Sequence, residues 1–154
     1  MATLILICGL PGAGKTTLAR QLEQERQAVR LAPDEWIAPL LRDPVDEHEL
    51  ARLRDPVEAL QWELAARLLA LGLDVILEWG FWSRREREDY CARGRALGSQ
   101  VAVYVLTASR EELWARLERR NRQLPPGTFH VSEAQLDLWW SWFEPPLPAD
   151  EISP

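Results

Sequence analysis

Lysine is almost missing from this sequence of 154 residues. Its 18 lysine and arginine residues include one lysine, Lys15, so arginine supplies nearly all of the positive charge. The two side chains are not interchangeable where a compact ammonium group must enter a tight loop, because the guanidinium group is a broad planar fork. The single lysine therefore marks a position at which arginine would not fit.

Cysteine, histidine and long apolar runs are scarce as well. The two cysteines, Cys8 and Cys91, provide neither a disulfide framework nor a metal cluster. His48 lies among acidic residues and His130 stands alone, so neither indicates a metal site. No apolar run approaches the roughly 18 residues of a membrane-spanning helix, and no basic stretch precedes the first apolar run as in a signal peptide. We expect a cytoplasmic protein without a membrane partner.

Basic residues are also fewer than acidic residues, so the formal net charge is −6 and the sequence pI is near 5.0. A protein that follows a nucleic-acid backbone usually carries a basic surface, so the balance favours small anionic or neutral substrates over nucleic acid. The length and the 47% apolar content predict one domain over residues 1–154.

The lone lysine lies in the segment Gly-Leu-Pro-Gly-Ala-Gly-Lys-Thr at positions 9–16, directly after the apolar run Thr3–Cys8. This is a G-x-x-x-x-G-K-[ST] phosphate-binding loop, or Walker A motif. Its backbone amides and the following helix N-terminus would hold phosphate, Lys15 would neutralise the β- and γ-phosphates, and Thr16 would bind Mg²⁺. The predicted nucleotide-binding residues are Gly9, Leu10, Pro11, Gly12, Ala13, Gly14, Lys15, Thr16 and Thr17.

Strand and helix patterns alternate along the chain, which predicts an α/β fold with a mostly parallel central sheet and helices on both faces. The predicted strands are Thr3–Cys8, Val29–Leu31, Leu73–Trp79 and Gln100–Thr107. The predicted helices are Thr16–Gln27, Asp34–Leu41, Val57–Leu71, Ser83–Leu97, Ser109–Arg122 and Ser132–Phe143. Residues 42–56 read as a charged excursion marked by proline, and residues 144–154 as an acidic, proline-rich tail.

Two nucleotide-binding classes are excluded by segments that the sequence lacks. A Ras-like GTPase reads guanine with an Asn-Lys-x-Asp segment, which needs a second lysine. The Leu-Ser-Gly-Gly-Gln segment of transporter ATPases is missing too.

The sequence resembles the P-loop kinases, a group that includes zeta toxins, chloramphenicol phosphotransferase, gluconate kinase and the kinase domain of polynucleotide kinase. The resemblance covers most of the chain and implies the three-layer P-loop fold. It rests on residues 9–17, Asp34, Val75–Glu78, Arg116–Asn121 and Phe143–Pro145.

The resemblance implies roles for the residues outside the loop. Asp34 would accept the proton of the attacking hydroxyl, although a helix N-cap is the alternative. Glu78 takes the place of the Walker B acid near Mg²⁺, where aspartate is more usual; contact through water or an ion pair with an arginine is the alternative. Arg120 and Arg116 would belong to a lid at about residues 110–131 and stabilise the transferring phosphoryl group. Their alternative is a solvated basic helix face.

Two further groups of residues stay ambiguous in the sequence. Trp79 and Trp82 follow a strand end, where they could stack on an acceptor or pack under the lid. The run of Arg84, Arg85 and Arg87 could hold a substrate, but such runs are more often solvated. The pattern as a whole predicts an ATP- and Mg²⁺-dependent kinase of a small-molecule hydroxyl. A 5′-hydroxyl nucleic-acid kinase and a non-catalytic nucleotide-binding module are the alternatives.

Overall fold

The computed structural model describes residues 1–42 and 45–146, and the last eight positions of the predicted tail lie outside the described residues. The strands are β1 (Thr3–Cys8), β2 (Val29–Leu31), β3 (Val75–Gly80) and β4 (Gln100–Val105). The helices are α1 (Lys15–Arg26), α2 (Pro33–Ile37), α3 (Glu47–Ala70), α4 (Arg84–Ala96), α5 (Arg110–Gln123) and α6 (Glu133–Trp142). One 3₁₀ turn, Ala38–Leu40, extends α2.

The four strands form one parallel sheet in the order β2-β3-β1-β4. The first strand lies inside the sheet, so the loop that follows it opens at the carboxyl edge between its neighbours. In open α/β sheets this edge is where ligands bind. The predicted α/β class and the parallel sheet are confirmed.

Both faces of the sheet are covered by helices, because successive side chains of a strand point to opposite faces. Leu4, Leu6 and Leu77 pack with residues of α3 and α4, whereas Ile5 and Ile7 pack with residues of α1. All five are fully buried, which explains why the first and third strands read as unbroken apolar runs rather than alternating ones. The three layers expected from the resemblance are present.

The prediction for residues 42–56 is wrong, because α3 begins at Glu47 and runs through the expected excursion. Asp46 caps this helix by accepting a hydrogen bond from the backbone amide of His48 at 2.8 Å. Pro56 is thus inside the helix, where it gives up one backbone hydrogen bond, and it is exposed to solvent. A proline normally indicates a helix boundary, but here the cap ten residues earlier decides where the helix begins.

In the predicted helix Val57–Leu71, the recurrence of Leu60, Leu64, Leu68 and Leu71 at three to four residues predicts a leucine stripe on the buried face, but the buried face of α3 is different. Its buried residues are Val57, Gln61, Ala65 and Leu69, spaced by four. The leucines one position away are more exposed, and Leu60 keeps 56% of its surface in contact with solvent.

The last two helices form a third cluster beside the phosphate loop rather than on the sheet. Leu113 and Leu117 of α5 and Leu136 of α6 are buried against Leu10. A reciprocal capping box at Ser109 starts α5, as its sequence predicts. None of the described helices is long and apolar enough to cross a membrane.

Candidate active site

The loop between β1 and α1 has the backbone geometry that a phosphate cradle requires. Gly12 and Gly14 have φ angles of 87° and 96°, which side-chain-bearing residues rarely adopt. A Cβ at Gly12 would lie 3.1 Å from the carbonyl oxygen of Leu113, whereas a Cβ at Gly14 would meet nothing within 4 Å. The loop is therefore packed against α5 on one side and open to solvent on the other.

The N-terminus of α1 faces this open side. Gly14 is the N-cap and provides no side-chain acceptor, and the first turn of α1 contains no acidic residue. Free amides and an uncompensated helix dipole attract an anion, so the arrangement suits a phosphate group.

Lys15 curls back over the loop, and its Nζ donates a hydrogen bond to the carbonyl oxygen of Leu10 at 3.0 Å. Desolvation of the ammonium group lowers the pKa of Lys15 to about 8, although the charges of Glu78 and Asp34 oppose this shift. A phosphate would supply the negative charge that the ammonium lacks here.

Glu78 lies near the carboxyl end of β3, beside the loop, with 7% of its side chain exposed. One carboxylate oxygen accepts a hydrogen bond from the Thr16 hydroxyl, and the other accepts one from Nη1 of Arg30 at 2.9 Å. The sequence left two roles open for Glu78, a place near Mg²⁺ or an ion pair with an arginine. The structure contains the ion pair with Arg30 and places the other carboxylate oxygen against Thr16, the predicted Mg²⁺ ligand. Arg30 also binds Glu35 at 2.9 Å and Glu23 at 3.3 Å, so one guanidinium group, with 10% of its side chain exposed, pairs with three carboxylates.

The Thr16 hydroxyl and the Glu78 carboxylate fit Mg²⁺, because both are hard oxygen ligands. The described residues contain no group of three or more His, Cys, Asp or Glu side chains that could hold a metal by themselves.

Asp34 lies in the first turn of α2, after β2. The alternative role as N-cap is not adopted, because Ala32 is the N-cap and Pro33 is the first helical residue. Instead, one carboxylate oxygen accepts a hydrogen bond from Nη2 of Arg54 on α3 at 2.6 Å. The exposed fractions of the Asp34 and Arg54 side chains are 44% and 38%, so this ion pair is open to solvent.

Helix α5 places its two candidate arginines differently. Arg116 is exposed and donates a hydrogen bond to the carbonyl oxygen of Gly12 at 3.2 Å. Arg120 is half-buried, and its Nε has no hydrogen-bond partner among the described residues. Desolvation lowers the pKa of Arg120, and the charge of Asp34 opposes this, which places the guanidinium within electrostatic reach of that carboxylate. Arg122 pairs with Glu118 on the outer face, as a solvated basic face would.

An apolar cavity of about 290 Å³ adjoins the loop. The segment after α6 closes one side of it and is tied to the loop after β3, because the amide of Glu144 donates to the carbonyl oxygen of Trp82 at 2.8 Å. The cavity is large and apolar enough for the face of a nucleobase. Its lining residues are Leu10, Ala13, Leu106, Thr107, Ala108, Leu113, Trp140, Phe143 and Pro145.

The residues that the sequence left ambiguous are mostly structural. Trp79 is buried, stacks on Phe81 at 5.6 Å and donates to Gln61 at 2.9 Å, so it belongs to the core beneath α3 rather than to an acceptor site or the lid. Trp82 packs against α6 and donates to the Gly9 carbonyl oxygen at 3.2 Å. Arg87 is buried and binds the carbonyl oxygens of Phe81, Trp82 and Glu144 rather than a substrate surface.

Comparisons with known proteins agree with this geometry. Residues 4–146 match the AAA_33 family, described as an AAA domain. A protein of Chloroflexus aurantiacus described as a "putative kinase" is 26% identical, with a TM-score of 0.76 over 96% of this chain and 83% of that chain. A chain of the Pnkp1/Rnl/Hen1 RNA repair complex is 24% identical, with a TM-score of 0.70 over 92% of this chain and 43% of that chain.

A gluconokinase of Sinorhizobium meliloti is 16% identical, with a TM-score of 0.63 over 97% of this chain and 78% of that chain. Identities this low show the fold alone. Among curated proteins, none is significantly similar in sequence. The resemblance to P-loop kinases is confirmed at the level of family and fold.

Proposed function

We propose that this chain, which belongs to the AAA_33 family of AAA domains, is an ATP- and Mg²⁺-dependent kinase that phosphorylates a hydroxyl group of a small molecule. The observation that carries the proposal is the glycine-rich phosphate loop at the N-terminus of α1, and the mutual electrostatic influence of Lys15, Asp34 and Arg120 supports it. A cation, a carboxylate and a second cation are the groups that phosphoryl transfer to a hydroxyl requires.

In the proposed reaction the phosphate loop and Lys15 hold the β- and γ-phosphates. The acceptor oxygen forms a bond to the γ-phosphorus while the bond from that phosphorus to the β–γ bridging oxygen breaks, so that ADP leaves. The hydroxyl proton passes to the Asp34 carboxylate, which can take it late in a loose transition state. Arg120 and Arg116 stabilise the charge on the transferring group.

Thr16 and Glu78 are the residues that would hold Mg²⁺, which would neutralise charge on the phosphates when bound. Arg30 keeps one Glu78 oxygen occupied, so Glu78 offers the metal its other oxygen or contacts it through water. The apolar cavity would take the adenine, with Phe143 and Pro145 against the ring.

The decisive experiment follows labelled γ-phosphate from ATP into nucleosides, sugars, aminoglycosides and 5′-hydroxyl oligonucleotides. Asp34→Ala should lower transfer by about 10²–10⁴-fold, the usual contribution of a general base, and change ATP affinity little. Asp89→Ala, which removes an exposed carboxylate on α4, should leave both unchanged.

Two results would contradict the proposal. Labelling of oligonucleotides alone would favour the nucleic-acid kinase that the net charge disfavours. Intact ATP binding with no acceptor labelled, and with ATP turnover unaltered by Asp34→Ala, would favour a non-catalytic module.

A further inference from the structure

The ion pair between Asp34 and Arg54 conflicts with the proposed role of Asp34. A carboxylate that must receive a proton is held by a guanidinium group at 2.6 Å, which occupies one of its two oxygens. Before Asp34 can accept a proton from an acceptor hydroxyl, Arg54 must give up this contact or share it.

The pair is easily opened. More than a third of each side chain is exposed, and exposed ion pairs add little to stability. Among the described residues, Arg54 has one other ion-pair partner, Glu58, at 3.9 Å. Desolvation raises the pKa of Glu58 to about 7, so this group is partly neutral at physiological pH and compensates the guanidinium poorly.

A neutral acceptor would therefore leave Arg54 without a good partner as its hydroxyl approached Asp34. An acceptor that carries a carboxylate or a phosphate would replace Asp34 on the guanidinium fork, which matches both anions with two parallel hydrogen bonds. Because Arg54 contacts Asp34 directly, it borders the place where Asp34 would receive the hydroxyl proton.

We propose that Arg54 is a specificity-determining residue that binds an anionic group of the acceptor, a carboxylate or a phosphate, and thereby releases Asp34 to receive the hydroxyl proton. This inference rests on the proposed kinase function and narrows its substrate class to anionic hydroxy compounds. The hydroxyl and the anion lie close together in such a compound, because the groups that bind them are neighbours.

Matched acceptors test the inference. Gluconate against glucose forms the carboxylate arm, and adenosine 3′-monophosphate against adenosine forms the phosphate arm. The natural chain should favour the anionic member of at least one pair in kcat/KM. Arg54→Met should lower kcat/KM for that member by about 10- to 100-fold, the range for a hydrogen bond to a charged group, and change the neutral member little.

Two more variants serve as references. Arg54→Lys keeps the charge without the fork and should recover part of the preference. Arg52→Met removes an exposed arginine of the same helix that pairs with Glu49, and it should keep the natural preference. Preference for neutral acceptors, or an equal loss for both members in Arg54→Met, would overturn the inference and leave the kinase function standing.

A binding measurement decides the inference if no acceptor is labelled and the kinase function fails. Calorimetric titration of gluconate and of inorganic phosphate into the chain with a non-hydrolysable ATP analogue should give affinities at least about 10-fold weaker in Arg54→Met than in Arg52→Met. Equal affinities, or no binding of either anion to the natural chain, would refute the role of Arg54.

Discussion

Lys15 lies where its ammonium group can bind a phosphate, but where burying that charge lowers the stability of the nucleotide-free protein. The surrounding loop strips water from its ammonium group, and the one hydrogen bond to Leu10 does not replace that hydration. The lowered pKa of about 8 expresses this cost, because a pKa below the ordinary lysine value means that the charged form is disfavoured. Binding strength and stability therefore make opposite demands on this residue.

We predict that Lys15→Met stabilises the nucleotide-free protein while it removes nucleotide binding. The gain in the free energy of unfolding should be about 1–3 kcal/mol, the scale of a pKa shift of a few units. ATP at 100 times its Kd should stabilise the natural chain by about 2.7 kcal/mol and the variant not at all. Urea denaturation with and without Mg²⁺-ATP measures both effects.

The control for this experiment is Arg85→Met, which removes an exposed cation from α4. It should change stability by less than about 0.5 kcal/mol and keep the full response to ATP. A destabilised Lys15→Met protein would show that the ammonium group is better solvated than its lowered pKa indicates.

Individual site residues could be predicted from the sequence where they follow a recognisable strand or motif. Residues whose role depends on a partner far away in the sequence could not be predicted. Lys15, Thr16 and Asp34 follow strands whose ends the apolar runs mark. Arg30 and Arg54 reach carboxylates 48 and 20 positions away, and only the packed sheet and helices bring those groups together. With 18 lysine and arginine residues to choose from, no local pattern singles these two out.

Helix α3 shows how a correct element can be predicted with the wrong buried face. Leucines recur through its second half and suggest the core stripe, yet the helix is rotated so that Gln61 and Ala65 face the sheet. A reason is visible in the neighbouring strand, where the buried Trp79 needs a hydrogen-bond acceptor and finds the Gln61 side-chain oxygen at 2.9 Å. Gln61 provides the hydrogen-bond acceptor and Ala65 leaves space for the large Trp79 ring. Hydrophobic periodicity alone does not predict that these two residues replace leucines on the buried face.

Two leucine truncations in α3 test this rotation. Leu69→Ala, at a position with 5% exposure, should lower the free energy of unfolding by about 2–5 kcal/mol. Leu60→Ala removes the same atoms from a position with 56% exposure and should cost less than about 1 kcal/mol. Urea denaturation of both variants gives the comparison, and equal losses would mean that the predicted leucine stripe faces the core.

The whole molecule combines a neutral, apolar sheet with an acidic outer layer. Most of its charge lies on helices, and the described ion pairs join the helices to one another and to the sheet, while one pair, Arg30 with Glu78, joins two strands. The α/β class and the parallel sheet follow from alternating strand and helix patterns, whereas the strand order is known only from the structure. The sequence does not predict which carboxylates become buried, since their burial depends on how α3 and α4 approach each other.

Glu58 is such a carboxylate, and it should make the stability of the whole molecule depend on pH. Burial raises its pKa from the ordinary value of 4.5 to about 7, helped by the charges of Glu86 and Asp55. Between these values the folded chain holds a proton that the unfolded chain has released. The contribution of Glu58 to stability should then fall as pH rises from about 4.5 to about 7, because the slope has the sign of the unfolded minus the folded proton count.

Glu58→Gln replaces the ionisable group with a neutral one of the same shape and should remove this fall. The variant should match the natural chain near pH 4.5 and exceed its free energy of unfolding by about 1–3 kcal/mol at pH 8, the scale of a shift of this size. Glu63→Gln, on the exposed side of the same helix, should leave the dependence unchanged. Denaturant unfolding at several pH values measures the difference between each variant and the natural chain. Parallel curves for Glu58→Gln and the natural chain would mean that Glu58 is ionised in the folded protein throughout this range, and that it holds Arg54 more firmly than the acceptor hypothesis allows.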